Sequence, residues 1–312
     1  MKWCNKYKIK CTMKIDKQNG NVAFENSSHT YWNVNDNERY VSVTTLIHRY
    51  TQEFDKDFWS SYKALEKLLP KDSWNVEKKS LLNSKKFNRE LLDTYNISEN
   101  DFNKVQQEIL DSWEEENRKS CERGTKIHEE IEHSFYDSPH NISLQKFGLG
   151  GKFECKKDYS ELDLEYGVYP EYLIYRESDD GILRIAGQVD LIVKSGNEIT
   201  IIDHKTNKKI DQKSGFDSIS KSNFKMKYPL NNLMDCNFYH YTLQLSTYAW
   251  MLQKINPNFV IKDLILNHYD HNGNNTLYHC EYLKKDVERM LYHYKKELIL
   301  EKQRSKRKRI EY

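Results

Sequence analysis

"AGQVDLIVKSGNEITIIDHKT", residues 186–206, reads as two strands around a tight turn. Gly196-Asn197 is a two-residue hairpin signal. It sets Ser195 opposite Glu198 and, counting outward, Asp190 opposite Asp203. Both aspartates interrupt apolar runs. Asp203 and Lys205, two residues apart, leave the strand on one face. Facing carboxylates destabilise a sheet, and apolar surroundings raise the cost. A divalent cation would compensate both charges, and hard oxygen ligands suit magnesium or manganese. An ion pair with Lys205 or Arg184 would also serve, so the hairpin alone leaves the two readings level.

Further strands and helices surround this hairpin. "YGVYPEYLIYR" (166–176) precedes it as the first strand of a meander, and places Glu171 among apolar neighbours. Upstream, "ERGTKIHEEIEHSFY" (122–136) puts Ile127, His128, Ile131 and Phe135 on one helix face. A histidine there is most often an ordinary core residue. Downstream, "FYHYTLQLSTYAWMLQKI" (238–255) is a helix with Gln244 and Tyr248 one turn apart. That pair alone would most often be plain helix surface. "FVIKDLILNHYD" (259–270) is a further strand, a shorter one follows near 277–283, and a charged helix begins near 284. The order α-β-β-β-α-β suggests an α/β layer arrangement with a mixed central sheet.

The first part of the chain is different. "NVAFEN" and "HTYWNV" read as a small strand pair with "NDNE" as its turn, followed by a helix capped by Ser42 or Thr44. Residues 55–118 are mostly helical, including a stretch at about 101–118. The end, "KQRSKRKR" (302–309), holds six cations in eight residues. Such a run is a solvated tail or a phosphate contact.

Composition narrows the class. The 312 residues are 38% hydrophobic and 31% charged with net charge +2, enough for a sizeable core. The six cysteines are scattered without C-x-x-C spacing, which fits a reduced, cytoplasmic protein without a zinc site. There is no secretory signal and no 18-residue apolar run, so no membrane span is expected.

Five features occur in one order: G-x-x-x-H at Gly124–His128, P-E at Pro170–Glu171, G-x-V-D at Gly187–Asp190, D-x-K-T at Asp203–Thr206, and Q-x-x-x-Y at Gln244–Tyr248. This series resembles the PD-(D/E)XK nuclease superfamily, and within it the RecB-like exonuclease branch, in a phage-type member. The resemblance spans about residues 121–270. It implies an α/β fold with a restriction-endonuclease-like αβββαβ core, its mixed central sheet flanked by helices, plus a mainly helical N-terminal region. The expected divisions are 1–118, helical with a small β-hairpin; 119–283, the nuclease core; and 284–312, a C-terminal helix and basic tail.

The resemblance also assigns roles. Asp190, Asp203, Glu171, His128 and the main-chain carbonyl of His204 would hold one or two Mg2+ or Mn2+ ions. Lys205 would be the catalytic lysine beside Asp190, Asp203 and Glu171. Gln244, Tyr248 and Thr206 would contact nucleic acid. No four-cysteine spacing provides the iron–sulfur cluster of some relatives. His128 must be neutral to ligate, so activity should fall at acidic pH.

The expected activity is metal-dependent hydrolysis of DNA phosphodiester bonds by an exonuclease acting on DNA ends or single strands in replication, recombination or repair, in the host cytoplasm if phage-encoded. A helicase or recombinase partner is compatible with it. The alternatives are an RNA-directed or structure-specific endonuclease on the same core, and a non-catalytic nucleic-acid-binding protein on a retired nuclease fold.

Overall fold

The computed structural model describes residues 15–156, 164–217 and 221–310. Cys4, Cys11 and the stretch "MKWCNKYKIKC" lie outside them. The chain opens with four strands, β1 (Lys17–Asn19), β2 (Val22–Glu25), β3 (Thr30–Asn33) and β4 (Arg39–Ser42). Helices α1 (Val43–His48), α2 (Lys56–Leu68), α3 (Lys71–Ser84), α4 (Glu90–Thr94) and α5 (Glu99–Asp137) follow. A short hairpin, β5 (Ile142–Leu144) and β6 (Leu149–Phe153), leads to the meander β7 (Gly167–Glu177), β8 (Arg184–Ser195) and β9 (Glu198–Lys205). Then come β10 (Phe216–Asp217), β11 (Ser222–Asn223), α6 (Asn237–Ile255), β12 (Val260–Tyr269), β13 (Asn275–His279) and α7 (Lys284–Ile310).

The hairpin register follows the two-residue turn. Ser195 pairs with Glu198, and the ladder runs out to Leu191–Ile202. Gly196 supplies the left-handed turn conformation with φ of 60°. β9 continues into β12 as a parallel pair, and β13 closes that edge.

The other edge differs from the expected separate strand pair. "NDNE" turns β3 into a further strand, β4, which runs parallel to β8 through Val41–Ile185 and Ser42–Ala186. The four N-terminal strands thereby extend the central sheet to nine strands. Ser42 caps α1, its hydroxyl accepting from Thr45 N–H at 3.0 Å.

Helices cover both faces. On one, α1, α6 and α7 bury Leu46, Leu245 and Met290 against Ile201 and Ile192. On the other, Phe135 of α5 packs with Leu191, Val193 and Ile202. A third core lies among the helices themselves, where Phe58, Leu65, Trp74 and Leu92 surround Phe102 and Ile109 of α5. One 39-residue helix therefore serves two cores, spanning about 58 Å at 1.5 Å per residue. Among the described residues, no helix is long and apolar enough to cross a membrane.

Candidate active site

β8 changes partner along one edge. β7 lines its other edge from Arg184 to Lys194. On the shared edge, β4 pairs at Ile185 and Ala186, while β9 pairs from Leu191 to Ser195. Residues 187–190 lie between the two. There β9 leaves β8 but stays with β12 as far as Lys205–His268. The divergence opens a cleft of about 590 Å3, walled by α5, the β2–β3 hairpin and the start of α1.

Asp190 stands at the fork, one step past the last β8–β9 pair. Its carboxylate replaces the missing ladder bond: Oδ2 accepts the His204 N–H at 2.6 Å. Across β7, the pairs Pro170–Leu191 and Tyr172–Val189 bracket Glu171 and Asp190. Glu171 is left-handed, with φ of 50°. Such a conformation costs of order 1–3 kcal/mol in a non-glycine residue and marks functional positions. Side-chain alternation shifts at the same level in both strands. Tyr169 and Tyr172, and likewise Val189 and Ile192, sit three residues apart yet share one core. This shift turns Glu171 toward the cleft, where Gln188 Nε2 donates to its Oε2.

His128 completes the cluster from α5. A carbonyl can only accept, so the 3.1 Å contact with His204 O places the proton on Nε2. Nδ1 then faces Glu171 Oε1 and Asp190 Oδ2, each at 3.6 Å. Burial opposes the imidazolium, but Asp190 and Glu171 outweigh it and raise the pKa to about 9. Ligand atoms of His128, Glu171 and Asp190 all lie within 4.8 Å of one another. A proton at Nδ1 and a divalent cation would thus compete for the same place.

Asp203 is placed differently from these three. Its Oδ2 lies 2.6 Å from Lys205 Nζ, and its Oδ1, though buried, has no hydrogen-bond partner among the described residues. Burial, reinforced by Asp190 and opposed by Lys205, lifts its carboxyl pKa to about 6. Burial also disfavours the lysine cation, but Asp203 and Asp190 override it and hold the Lys205 pKa above its usual value. Lys205 further donates to Gln244 Oε1 at 3.3 Å and lies 4.6 Å from the Tyr241 ring centre. Gln244 Nε2 reaches the Tyr248 hydroxyl at 3.4 Å, and both residues line the cleft.

The two remaining expected residues have structural contacts. The His204 carbonyl is engaged by His128, while burial drives the His204 imidazole pKa down to about 3. Thr206 lies under α5: its carbonyl accepts from Arg123 at 2.9 Å, and a Cβ on Gly124 would sit 3.3 Å from its Oγ1.

Sequence reasoning missed Gln188, Tyr241, Arg123 and Tyr31. Gln188 is a polar residue in an apolar strand, two before Asp190, and was legible on that ground. Tyr241 lies one turn before Gln244 on the same helix. Tyr31, stacked on Phe24 at 4.6 Å, reaches the cleft only through the β4–β8 pairing, which leaves no local signal. Burial, then Glu171 and Asp190, raise its hydroxyl pKa.

The donor set suits a hard divalent cation. One imidazole nitrogen faces two carboxylates, and Asp203, which interacts with Asp190 and His128, has a buried oxygen without a partner among the described residues. Residues 45–310 match the profile of the PD-(D/E)XK nuclease superfamily. The chain belongs to this superfamily. Its mixed sheet flanked by helices is consistent with the restriction-endonuclease-like PD-(D/E)XK fold.

No curated protein matches this PD-(D/E)XK chain. Among solved structures it is similar to that of SSO0001, at 18% identity and TM-score 0.23, over 40% of this chain and 50% of the other. It is also similar to a candidate exonuclease from Eubacterium rectale, at 9% identity and TM-score 0.29, over 42% of this chain and 43% of the other. The chain thus spans half or less of the length of these two structures.

Gly187 has a packing role in the nuclease motif. A Cβ there would lie 2.6 Å from Tyr248 Cε1. Gly187→Ala must displace the tyrosine ring or β8, at a cost of about 1–3 kcal/mol. A displaced site should lower any single-turnover cleavage of DNA by up to about 100-fold. Thermal unfolding and single-turnover assays check both effects. A variant matching the parent in each would show that Tyr248 yields freely.

Proposed function

We propose that the protein is a divalent-metal-dependent DNA nuclease, a RecB-like exonuclease acting on DNA ends or single strands in replication, recombination or repair. The observation that carries this reading is the convergence of His128, Glu171 and Asp190 beside the Asp203–Lys205 pair in one cleft.

His128 Nδ1, Glu171 and Asp190 would hold the magnesium or manganese ion, with Asp203 Oδ1 as a further oxygen donor. When bound, the ion supplies charge neutralisation at the phosphate and a water of lowered pKa. Gln188 fixes Glu171, and the His204 N–H fixes Asp190, so both carboxylates are oriented in advance. Asp203 holds Lys205 protonated. A lysine kept cationic cannot serve as the general base. It instead orients the attacking water and stabilises charge on the phosphoryl oxygens. Gln244 and Tyr248 set the lysine's position from below.

End preference draws support from two features. The Q-x-x-x-Y helix accompanies processing of ends or single strands in the branch this chain resembles. In addition, Lys17 of β1 and Glu132 of α5 meet at 3.1 Å, joining two cleft walls one helical turn beyond His128. A strand end fits against such a tie more readily than a continuous strand.

The test is digestion of linear and circular single-stranded DNA, duplex DNA and RNA, with magnesium or manganese and with a chelator. Linear DNA is expected to be degraded, and chelation to stop it. Equal cutting of circular and linear single strands would remove the exonuclease assignment. RNA cleavage without DNA cleavage would move the activity to an RNA-directed enzyme. Inert folded protein with both metals would refute the nuclease reading.

A further inference from the structure

A second concavity, of about 1030 Å3, lies against α5 on the side of the site away from Glu132. Trp113, Asn117 and Ser120 line it from the helix, and Asn207 and Lys208 line it from the chain just after β9. Gly124 and His128 of α5, and Lys205 of β9, line the cleft described above. Trp113, Asn117, Ser120, Gly124 and His128 recur at three- and four-residue steps, so they share one helix face. The two concavities therefore lie along one helix face, with the contact of Gly124 and Arg123 on Thr206 between them. Along the helix axis, Trp113 and His128 are separated by about 22 Å at 1.5 Å per residue.

At the far end stands an aromatic pair. Phe54, from the α1–α2 connection, is 64% exposed, and its ring meets Trp113 edge to face at 5.7 Å. The edge-to-face contact leaves most of the Phe54 ring open within the groove. Its surroundings are mixed in charge but lean cationic. Lys56, Lys208, Lys209 and His271 line the groove, against Glu114 and Glu116. Glu116 is ion-paired to Lys208, and Lys209 lies 2.9 Å from Asp211. Exposed pairs of this kind hold weakly, so a phosphate can take over either lysine.

We propose that Phe54 and Trp113 form a stacking platform for a base of a single DNA strand whose reacting end lies at His128. The inference rests on the nuclease reading. It commits to a single strand because the bases of a duplex have no face free to stack. Aromatic faces beside lysines, on the same helix face as a phosphodiester site, are what an unpaired strand recognises. The 22 Å path corresponds to about six nucleotides at 3.4 Å per stacked step.

The experiment compares kcat/KM for end-labelled single strands of about three and about ten nucleotides, which respectively fall short of and reach the platform. The native protein is expected to favour the longer strand. Phe54→Ala should shrink that preference by about 5- to 100-fold, and Phe54→Tyr should restore it. Phe54 is exposed, so the truncation leaves the core intact, which circular dichroism verifies. If Phe54→Ala keeps the full preference while the native protein cleaves DNA, the platform is refuted and the nuclease reading stands. If the native protein cleaves no DNA, both fall.

Discussion

Replacing Lys205 by alanine is expected to lower cleavage by about 100- to 1000-fold at saturating DNA and magnesium, the usual effect of removing one preorganised stabiliser of developing charge. The same change has a cost in stability. Asp203 is 1% exposed, and its Oδ2 lies 2.6 Å from the ammonium. Breaking a buried pair by removing one partner costs about 3–5 kcal/mol. Here the loss should fall at or below that range, because Asp203 already has a pKa raised to about 6 and can take up a proton.

Two roles of the lysine can therefore be separated. In Lys205→Ala/Asp203→Asn the orphaned charge is gone, so stability should recover relative to the single variant while cleavage stays lost. Thermal unfolding and single-turnover rates on the parent, both singles and the double give the needed cycle. If the double variant regains cleavage, the lysine serves only to neutralise Asp203. If Lys205→Ala cleaves normally, the charge-stabilising role is wrong.

The hairpin register is legible in the sequence because a two-residue turn sets it locally. Gly196-Asn197 fixed Ser195 opposite Glu198, and the ladder kept that register to Leu191–Ile202. It also placed Asp203 and Lys205 on one face, where they form an ion pair. Both groupings weighed for the hairpin are present side by side. Asp190 gathers with His128 and Glu171, while Asp203 pairs with Lys205. Register alone could not show this, because the β8–β9 ladder ends at Leu191–Ile202, one step before the two aspartates.

Other features had no local signal at all. The parallel β4–β8 pairing joins segments far apart in sequence, so neither the nine-stranded sheet nor the place of Tyr31 in the cleft could be read. The expected helix end near residue 118 fails for a different reason. "EEENRKSCER" has no apolar stripe, and a stretch polar all round gives no amphipathic signal. Ion pairs of Arg118 with Glu115 and Glu122, and of Lys119 with Glu115, support that part of α5.

Asp190→Asn should separate metal binding from folding. An amide keeps the shape of the side chain, and its oxygen can still accept the His204 N–H. It loses the charge that faces Glu171 across the β7–β8 ladder and His128 at 3.6 Å. Without a cation, like charges on neighbouring strands are a liability, although a protonated His128 offsets much of it. The two effects oppose each other, so unfolding in a chelator should shift by no more than about 1 kcal/mol. The response to metal is where the variant should differ. A ligand that binds only the folded state adds about 2.7 kcal/mol at 100-fold excess over its Kd. Magnesium or manganese should raise the melting temperature of the native protein and leave Asp190→Asn nearly unmoved, with cleavage lost by about 1000-fold or more. A metal-induced rise as large in the variant as in the parent would show that the cation sits elsewhere, and His128, Glu171 and Asp190 would lose their assignment as its ligands.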